Sequence, residues 1–182
     1  MYRLLDLVIS CIALCCLWPL MLIVIGIGLF DTGAPVFMQE RVGKNQKKFV
    51  LIKFRTMSVD TKSVASHLAS SSSITCFGRF LRKSKIDELP QLINVLKGDM
   101  SLVGPRPCLF NQQELIKERQ AKGVFDVLPG ITGLAQINAI DMSTPVLLAE
   151  YDREMIRTMS LGKYFRYLIL TGLGKGAGDR VG

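Results

Sequence analysis

The chain has 182 residues, a length that suits one domain with a sizeable hydrophobic core. Its net charge of +8 indicates an anionic partner such as a membrane surface or nucleotide phosphates, whereas the basic residues lack the aromatic interleaving and zinc spacing of nucleic-acid readers. The five cysteines form no CxxC pair, and the only histidine, His67, lies in a Ser-rich run. The composition therefore argues against a disulfide framework, a zinc centre and histidine-based nucleophilic catalysis.

The first predicted element is an uncharged stretch from Leu7 to Phe30, bounded by Asp6 and Asp31. As a helix it would measure about 36 Å, enough to cross a bilayer core of about 30 Å. It is too long for a secretory signal peptide, and no small-residue cleavage site follows it. We therefore expect a retained membrane anchor over 1–31, and a cytoplasmic domain over 32–182 that rests on the membrane surface.

Pro19 lies near the middle of this stretch and allows two paths through the membrane. A proline removes one backbone hydrogen bond and bends a helix, and each half would be only about 18 Å long. A sharply bent helix would reach mid-bilayer and return to the same face, whereas a kinked helix would still span. Arg3 before the stretch and the basic residues from Arg41 onward are consistent with two cytoplasmic flanks, and hence with a re-entrant helix broken at Pro19.

The segment after the anchor predicts a β-hairpin followed by short helices. Runs rich in Val, Phe and Ile at 35–41 and 48–57 flank a turn-like Gly-Lys-Asn-Gln sequence at 43–46. The run 58–75, rich in Ser, Ala and Thr, predicts a loop with one short helix at most. Helices are predicted at 76–85, 87–97, 110–122, 145–158 and 161–173, with an extended loop at 104–107 and a turn at 129–133 that leads into a short strand.

The last predicted helix, 161–173, mixes Lys163 and Arg166 with aromatic and aliphatic residues. Such a helix either lies in the headgroup layer of a membrane or packs as an ordinary terminal helix, and the pattern does not separate the two. The sequence 172–177 formally matches a G-x-G-x-x-A dinucleotide fingerprint, but it follows a helix rather than a strand. We therefore interpret it as a frayed tail.

The most informative motif is Asp87-Glu88-Leu89-Pro90. The apolar residues from Leu89 to Leu96 recur with helical spacing, and Pro90 is tolerated only in a first turn, so a helix is predicted to begin near Asp87. The dipole of that helix would favour the ionised form of both carboxylates. Four cations precede the pair: Arg79, Arg82, Lys83 and Lys85. Taken alone, the motif is also compatible with an acidic helix cap beside a solvated basic face.

Several other polar motifs accompany this pair in a fixed order. They are Lys53-Phe54-Arg55-Thr56-Met57, Arg82, Lys97-Gly98-Asp99-Met100-Ser101, Gly104-Pro105-Arg106-Pro107 and Pro129-Gly130-Ile131-Thr132-Gly133. From the anchor to about Asp152, this string resembles the bacterial sugar transferases, the monotopic phosphoglycosyl transferases that load a sugar phosphate onto polyprenyl phosphate. The run from Asp87 to Pro107 is long and specific, so the resemblance does not depend on one short motif.

The resemblance implies a UDP-sugar donor, expected to be N-acetylated, and polyprenyl (undecaprenyl) phosphate as the acceptor. The products would be a polyprenyl-diphospho-sugar and UMP, in the first membrane step of surface glycoconjugate assembly at the cytoplasmic face of the bacterial inner membrane. Asp87 would be the nucleophile and would form a phosphosugar-aspartyl intermediate, with Mg²⁺ held by Asp87 and Glu88. Glu88 would act as a metal ligand or as a base toward the acceptor.

The resemblance also implies phosphate-binding residues. Arg82 would bind a phosphate of the donor or acceptor. Arg106, fixed between two prolines, has no acidic neighbour in the sequence and would present its guanidinium fork to a phosphate. Lys53 and Asp99 match family motif positions, where a structural ion pair and a direct role are equally compatible.

The sequence departs from the family pattern at two places. Trp18 stands where the family often has a serine that stabilises the bend. Ala139-Ile140 stands where Gly-Arg is usual, which leaves the identity of the donor sugar open.

The expected fold class is α+β and mainly helical, with a small β-hairpin and interfacial amphipathic helices. The alternatives are a non-catalytic module that binds prenyl phosphate or recruits partners, and a basic anchored adaptor for nucleic acid or lipid.

Overall fold

A computed structural model describes residues 2–59 and 73–176. Its α-helices are α1 (Tyr2–Asp31), α2 (Cys76–Ser84), α3 (Gln91–Lys97), α4 (Gln113–Ala121), α5 (Leu134–Ile137), α6 (Pro145–Thr158) and α7 (Leu161–Gly172). Its strands are β1 (Val36–Val42), β2 (Lys48–Phe54), β3 (Ser101–Val103) and β4 (Gly130–Thr132). The described part of the chain is therefore mainly helical with small sheets, as the sequence predicts. The loop and histidine expected within 60–72 lie outside the described residues.

Helix α1 is a single α-helix that runs through Pro19 without interruption. The expected break is thus corrected: a bend at Pro19 would be a kink within one helix, and the re-entrant path stays a prediction. Among the described residues, α1 is the one helix that is long and apolar enough to cross a membrane. A helix of 30 residues measures about 45 Å.

Both halves of α1 contact the rest of the protein. Before Pro19, α1 packs against a core built by β2, α3, β3 and α7, with Leu5 and Ile9 among its contact residues. After Pro19, Val24 is buried against Phe54 and Leu81. The opposite face of α1 exposes large apolar side chains along its length: Leu4, Val8, Ile12, Trp18, Leu22, Ile23, Ile27, Leu29 and Phe30. Such a continuous apolar surface is characteristic of a membrane-facing element.

The predicted β-hairpin is confirmed. Strands β1 and β2 pair antiparallel from Val36 opposite Phe54 to Val42 opposite Lys48, around a 3₁₀ turn at Lys44–Gln46. Helices α2, α4, α6 and α7 also form where predicted, although α4 is shorter than expected and begins at Gln113. These elements have strong local signals, namely side-chain periodicity and turn residues.

A small parallel sheet was not predicted. Strand β3 pairs with β4, with Ser101 opposite Gly130 and Val103 opposite Thr132. The expected turn at 129–133 is thus largely a strand, and the segment after it is the short helix α5 instead of a strand. Each strand has three residues and gains its hydrogen bonds from a distant partner, which leaves almost no periodicity in the sequence.

Candidate active site

The two adjacent carboxylates lie in a 3₁₀ turn, Ile86–Glu88, between α2 and α3. The α-helix itself begins only at Gln91, so the predicted start near Asp87 is wrong by one turn. Because α3 has only seven residues and the pair precedes it, the helix dipole is not a reason to expect ionised carboxylates here. The turn instead withdraws both side chains from solvent, since Asp87 and Glu88 are 7% and 9% exposed.

Arg106 pairs with Glu88. Its Nη2 donates a hydrogen bond to Glu88 Oε1 at 2.8 Å, and both side chains are mostly buried. The absence of an acidic neighbour in the sequence therefore did not mean the absence of an acidic partner in space. A charge-assisted hydrogen bond in a partly buried site is stronger than a surface ion pair, so Arg106 orients Glu88.

Two glycines bring the loop of Arg106 close to the start of β4. A Cβ at Gly104 would lie 2.6 Å from the Leu128 carbonyl oxygen, and one at Gly130 would lie 2.0 Å from the Gly104 nitrogen. Backbone hydrogen bonds join the two segments, from Gly104 to Thr132 and from Gly130 to Pro105. The Gly-Pro-Arg-Pro and Pro-Gly-Ile-Thr-Gly motifs therefore form one close backbone crossing, because no side chain fits between the segments.

Two buried arginines hold the same loop by its carbonyl groups. Arg41 Nη1 donates to the Pro107 carbonyl at 3.2 Å, and Arg119 Nη1 donates to the Arg106 carbonyl at 2.8 Å. Arg119 is itself fixed by Asp152, with Nη2 and Oδ2 2.7 Å apart and both side chains almost fully buried. Burial raises the pKa of the Asp152 carboxyl, and the Arg119 guanidinium opposes that rise. A chain of contacts thus runs from α6 through α4 to the dyad.

Lys53 and Arg82 lie on the two elements that flank the dyad turn. Lys53, on β2, is buried, and its ammonium lies 5.6 Å from the centre of the Phe37 ring. Arg82, in the last turn of α2, donates from Nε to the Thr56 hydroxyl at 2.9 Å. Strand β2 and α2 both pack against the 3₁₀ turn, so both cations lie on elements that contact the dyad turn, and Lys53 also lines a pocket with Arg106.

Asp99 supports the scaffold. Its carboxylate accepts a hydrogen bond from Asn94 Nδ2 at 3.3 Å. Asn94 is buried and also bonds to the backbone of β2 at Val50 and Ile52, which ties α3 to the hairpin. Of the two roles left open for Asp99, this contact favours the structural one.

A small pocket beside the dyad turn has a cationic lining. Arg41, Lys53 and Arg106 contribute to it, together with Gln91 and the Gly130 backbone. Among its lining residues that the structure describes there is no carboxylate. Three positive charges in a confined, partly dry site suit an anion with several oxygens, such as a phosphate.

The carboxylates permit a particular kind of metal site. In 2–59 and 73–176, no cluster of three or more His, Cys, Asp or Glu residues could hold an ion. Mg²⁺ commonly binds proteins through one or two carboxylates and completes its shell with water and substrate phosphates. Asp87 and Glu88 therefore fit an ion shared with a diphosphate, and they do not form a protein cage on their own.

Sequence reasoning missed Arg41, Arg119 and the contact partner of Arg106. Arg41 and Arg119 look like ordinary surface charges in a strand and a helix, yet they are 6% and 1% exposed. The available signal for Arg119 was Asp152, an acid on the apolar face of a predicted helix, since such a residue requires a buried partner.

The bacterial sugar transferase family model matches residues 1–174. The chain therefore belongs to the bacterial sugar transferase family, and the resemblance stated from its motifs is confirmed. The match covers α1, the hairpin, the dyad turn and the Pro-Arg-Pro loop, so it includes the whole site described above.

Similar proteins come from several bacteria. An uncharacterized sugar transferase of Bacillus subtilis, EpsL, is 47% identical over 137 residues, which cover 75% of this chain and 67% of that protein. A UDP-glucose:undecaprenyl-phosphate glucose-1-phosphate transferase of Xanthomonas campestris is 39% identical over 181 residues, 92% of this chain but 37% of its own length. One of the same name from Caulobacter vibrioides is 35% identical over 179 residues, 93% of this chain and 67% of its own.

Proposed function

We propose that this chain is a phosphoglycosyl transferase that transfers a sugar-1-phosphate from a UDP-sugar to polyprenyl phosphate, in practice undecaprenyl phosphate. The observation that supports it best is the buried carboxylate pair with Glu88 held at 2.8 Å by Arg106, beside a cation-lined pocket. Relatives named for transfer of glucose-1-phosphate to undecaprenyl phosphate support the same reaction class. The step would begin the assembly of a surface glycoconjugate.

In this proposal Asp87 is the nucleophile. Its carboxylate attacks the phosphorus that carries the sugar, the bond from that phosphorus to the UMP oxygen breaks, and UMP leaves with the electron pair. The sugar phosphate is then held as an acyl phosphate on Asp87. An oxygen of polyprenyl phosphate attacks the same phosphorus, which releases Asp87 and gives the polyprenyl-diphospho-sugar.

Arg106 and its neighbours would stabilise the charge on the phosphate oxygens in both steps. The Pro-Arg-Pro loop is held by Arg41 and Arg119, so the Arg106 guanidinium needs little reorganisation when the substrate arrives. Lys53 and Arg82 would add positive charge from β2 and α2. Glu88, oriented by Arg106, would hold a metal ion or accept a proton in the acceptor step.

Mg²⁺ would be bound by Asp87 and Glu88 and would neutralise the donor diphosphate. The 3₁₀ turn that buries both carboxylates, and Arg106 that orients Glu88, would also shape the Mg²⁺ site. Loss of UMP release in excess EDTA, with recovery on addition of Mg²⁺ or Mn²⁺, tests the requirement. Full activity in EDTA would contradict it.

We place the protein at the cytoplasmic face of the bacterial inner membrane, and the arrangement of α1 supports the monotopic part of this proposal. Asp6 and Val24, on the two sides of Pro19, are both buried against the same domain. A helix that crossed the bilayer would carry one of these residues about 27 Å away from the domain. With α1 placed along the domain, 32–182 would rest on the membrane, where the head of polyprenyl phosphate lies.

The reaction is tested by incubating the purified protein with undecaprenyl phosphate and a panel of UDP-sugars, and by measuring UMP. The proposal predicts UMP release with at least one donor, together with a sugar-diphosphate lipid. Failure of every donor to release UMP, in a protein that is folded and reconstituted in lipid, would overturn it. A non-catalytic module would bind undecaprenyl phosphate but release no UMP.

A further inference from the structure

Gln91 carries a buried amide that makes no hydrogen bond within residues 2–59 and 73–176. It is the first residue of α3, three positions after Glu88, and only 4% of it is exposed. Buried polar groups in folded proteins are nearly always hydrogen-bonded, because an unpaired amide out of water costs free energy. The burial of Gln91 therefore needs a reason other than packing.

Asn94, one turn further along α3, shows how the same helix uses a buried amide for structure. Its Nδ2 donates to the Val50 carbonyl at 2.7 Å, and its Oδ1 accepts from the Ile52 amide at 3.0 Å. Gln91 is buried to a similar degree, but it forms no comparable bond to the hairpin at 36–54, all of which the structure describes. Since Asn94 already links α3 to the hairpin, the amide of Gln91 is available to a ligand.

Gln91 lines the small pocket to which Arg41, Lys53 and Arg106 contribute their charges. The volume of this pocket is about 10 Å³, enough for one water-sized group. A sugar ring does not fit this volume, whereas a single phosphate oxygen does. The pocket therefore suits one oxygen of an anion whose remaining atoms lie at its mouth.

Arg106 connects the pocket to the carboxylate pair by direct contact. It lines the pocket, and its Nη2 also donates to Glu88 Oε1 at 2.8 Å. A phosphate whose oxygen enters the pocket would thus meet the same side chain that orients Glu88. The pocket is for this reason part of the candidate active site, and Gln91 is its neutral polar side chain.

An amide offers a phosphate something that a fourth cation would not. The Nε2 atom of a glutamine carries two N–H donors and no charge. It can donate to a phosphate oxygen without adding repulsion to the three positive charges nearby. The combination of three cations with one neutral donor is therefore a suitable lining for an anionic oxygen.

We propose that Gln91 is a phosphate-binding residue of the active site, and that its amide N–H donates to a phosphate oxygen in the pocket lined by Arg41, Lys53 and Arg106. This inference rests on the proposed function. The phosphate belongs either to the donor diphosphate or to polyprenyl phosphate. The unpaired amide destabilises the free protein slightly, and it gains its hydrogen bond when the phosphate binds.

Thermal unfolding with inorganic phosphate tests this binding without turnover. Gln91→Met keeps the length of the side chain and removes its donors, and Gln120→Met makes the same change at an exposed glutamine of α4. The full-length variants are compared in one detergent at constant ionic strength. We expect phosphate to raise the unfolding midpoint of the wild type and of Gln120→Met equally. Gln91→Met should need roughly three- to tenfold more phosphate for the same rise, because one hydrogen bond is lost.

The unfolding midpoint without phosphate separates a ligand-binding amide from a structural one. Gln91→Met should be as stable as the wild type or more stable, since it removes an unpaired buried amide. Asn94→Ala should be clearly less stable, because the hairpin loses two bonds. The inference is overturned if Gln91→Met is destabilised as much as Asn94→Ala, or if phosphate protects Gln91→Met as well as it protects the wild type.

Steady-state kinetics identify the source of the phosphate. UMP release is measured with varied donor at fixed acceptor, and then the reverse. Gln91→Met should lower kcat/KM roughly three- to tenfold for the substrate whose phosphate enters the pocket. Gln91→Glu should lower it further, because a carboxylate repels phosphate. Unchanged kcat/KM for both substrates in Gln91→Met would overturn the inference. If the wild type releases no UMP with any donor while phosphate protection still depends on Gln91, the proposed function fails and the phosphate site stands.

Discussion

The hydroxyl group of Tyr164 donates a 2.7 Å hydrogen bond to the carboxylate of Asp6, and so joins α7 to the start of the long apolar helix α1 across 158 positions. Burial and the neighbouring Asp6 carboxylate both raise the pKa of Tyr164, so the phenol stays protonated and can donate. Asp6 accepts two further bonds, from the Ser101 hydroxyl at 2.8 Å and from the Leu102 amide at 3.0 Å. A single buried carboxylate therefore joins three elements.

We predict that Asp6→Ala destabilises the protein by roughly 2–4 kcal/mol, because three buried donors lose their acceptor. Asp31→Ala is the matched control at the other end of α1, where an exposed carboxylate accepts one bond from Thr75. The measurement is thermal or denaturant unfolding in the same detergent or lipid. Equal stability of the two variants would show that the Asp6 cluster contributes nothing beyond a surface contact.

A second prediction concerns the membrane topology of α1. A cysteine placed in a short extension before Met1, in a background without the five native cysteines, should resist a membrane-impermeant maleimide added to intact cells. Pro19→Leu should favour a straight, spanning helix and raise labelling, although the contacts of Asp6 oppose that change. Efficient labelling in the protein with Pro19 would show that α1 spans the membrane.

A third prediction concerns the buried pair of Arg119 and Asp152. Asp152→Ala leaves the Arg119 charge buried and unpaired, so we expect a loss of about 3–5 kcal/mol in the free energy of unfolding. Replacement of both residues by apolar ones, Arg119→Met with Asp152→Leu, should be much less destabilising. Activity should nevertheless remain low in the double variant, because the Arg106 carbonyl loses its donor. A double variant with full activity would rule out this positioning role.

Arg106 makes a fourth prediction. We expect Arg106→Ala to lower kcat/KM by about a hundredfold or more, since it removes both the partner of Glu88 and a cation for phosphate. Arg106→Lys should restore little, because an ammonium does not reproduce the planar fork. Lys48→Ala, which breaks the exposed pair with Glu40, controls for the loss of an ion pair and should be neutral. Normal kinetics in folded Arg106→Ala would contradict its role.

The parts of the fold that were predicted correctly have local causes. The hairpin follows from β-rich runs around a turn, and α6 from Pro145 at its first position and apolar spacing to Thr158. The small sheet could not be predicted in the same way, because β3 and β4 each have three residues and pair across 26 or more positions of intervening chain. Its glycines suggested a turn, whereas their actual role is a close backbone approach.

The candidate site, like the fold, could be predicted only in part from the sequence. The motif order predicted Asp87, Glu88 and Arg106 as candidate site residues, but their mutual arrangement depends on tertiary contacts that no sequence spacing contains. Glu88 and Arg106 are 18 positions apart, and Arg119 and Asp152 are 33 apart. Asp6 was interpreted only as the edge of an apolar run, although an acid beside a membrane segment already required a partner.

Covalent catalysis by Asp87 can be tested with the donor alone. Purified protein is incubated with a competent UDP-sugar and Mg²⁺ in the absence of polyprenyl phosphate, and UMP and intact protein mass are measured together. We predict that about one UMP is released per active site, with a matching gain of one sugar phosphate on Asp87. Asp87→Asn should show neither, while Asp126→Asn, an exposed aspartate in another 3₁₀ turn, should behave like the wild type. Wild-type turnover in Asp87→Asn, or UMP release that always requires the acceptor, would rule out a covalent intermediate on Asp87.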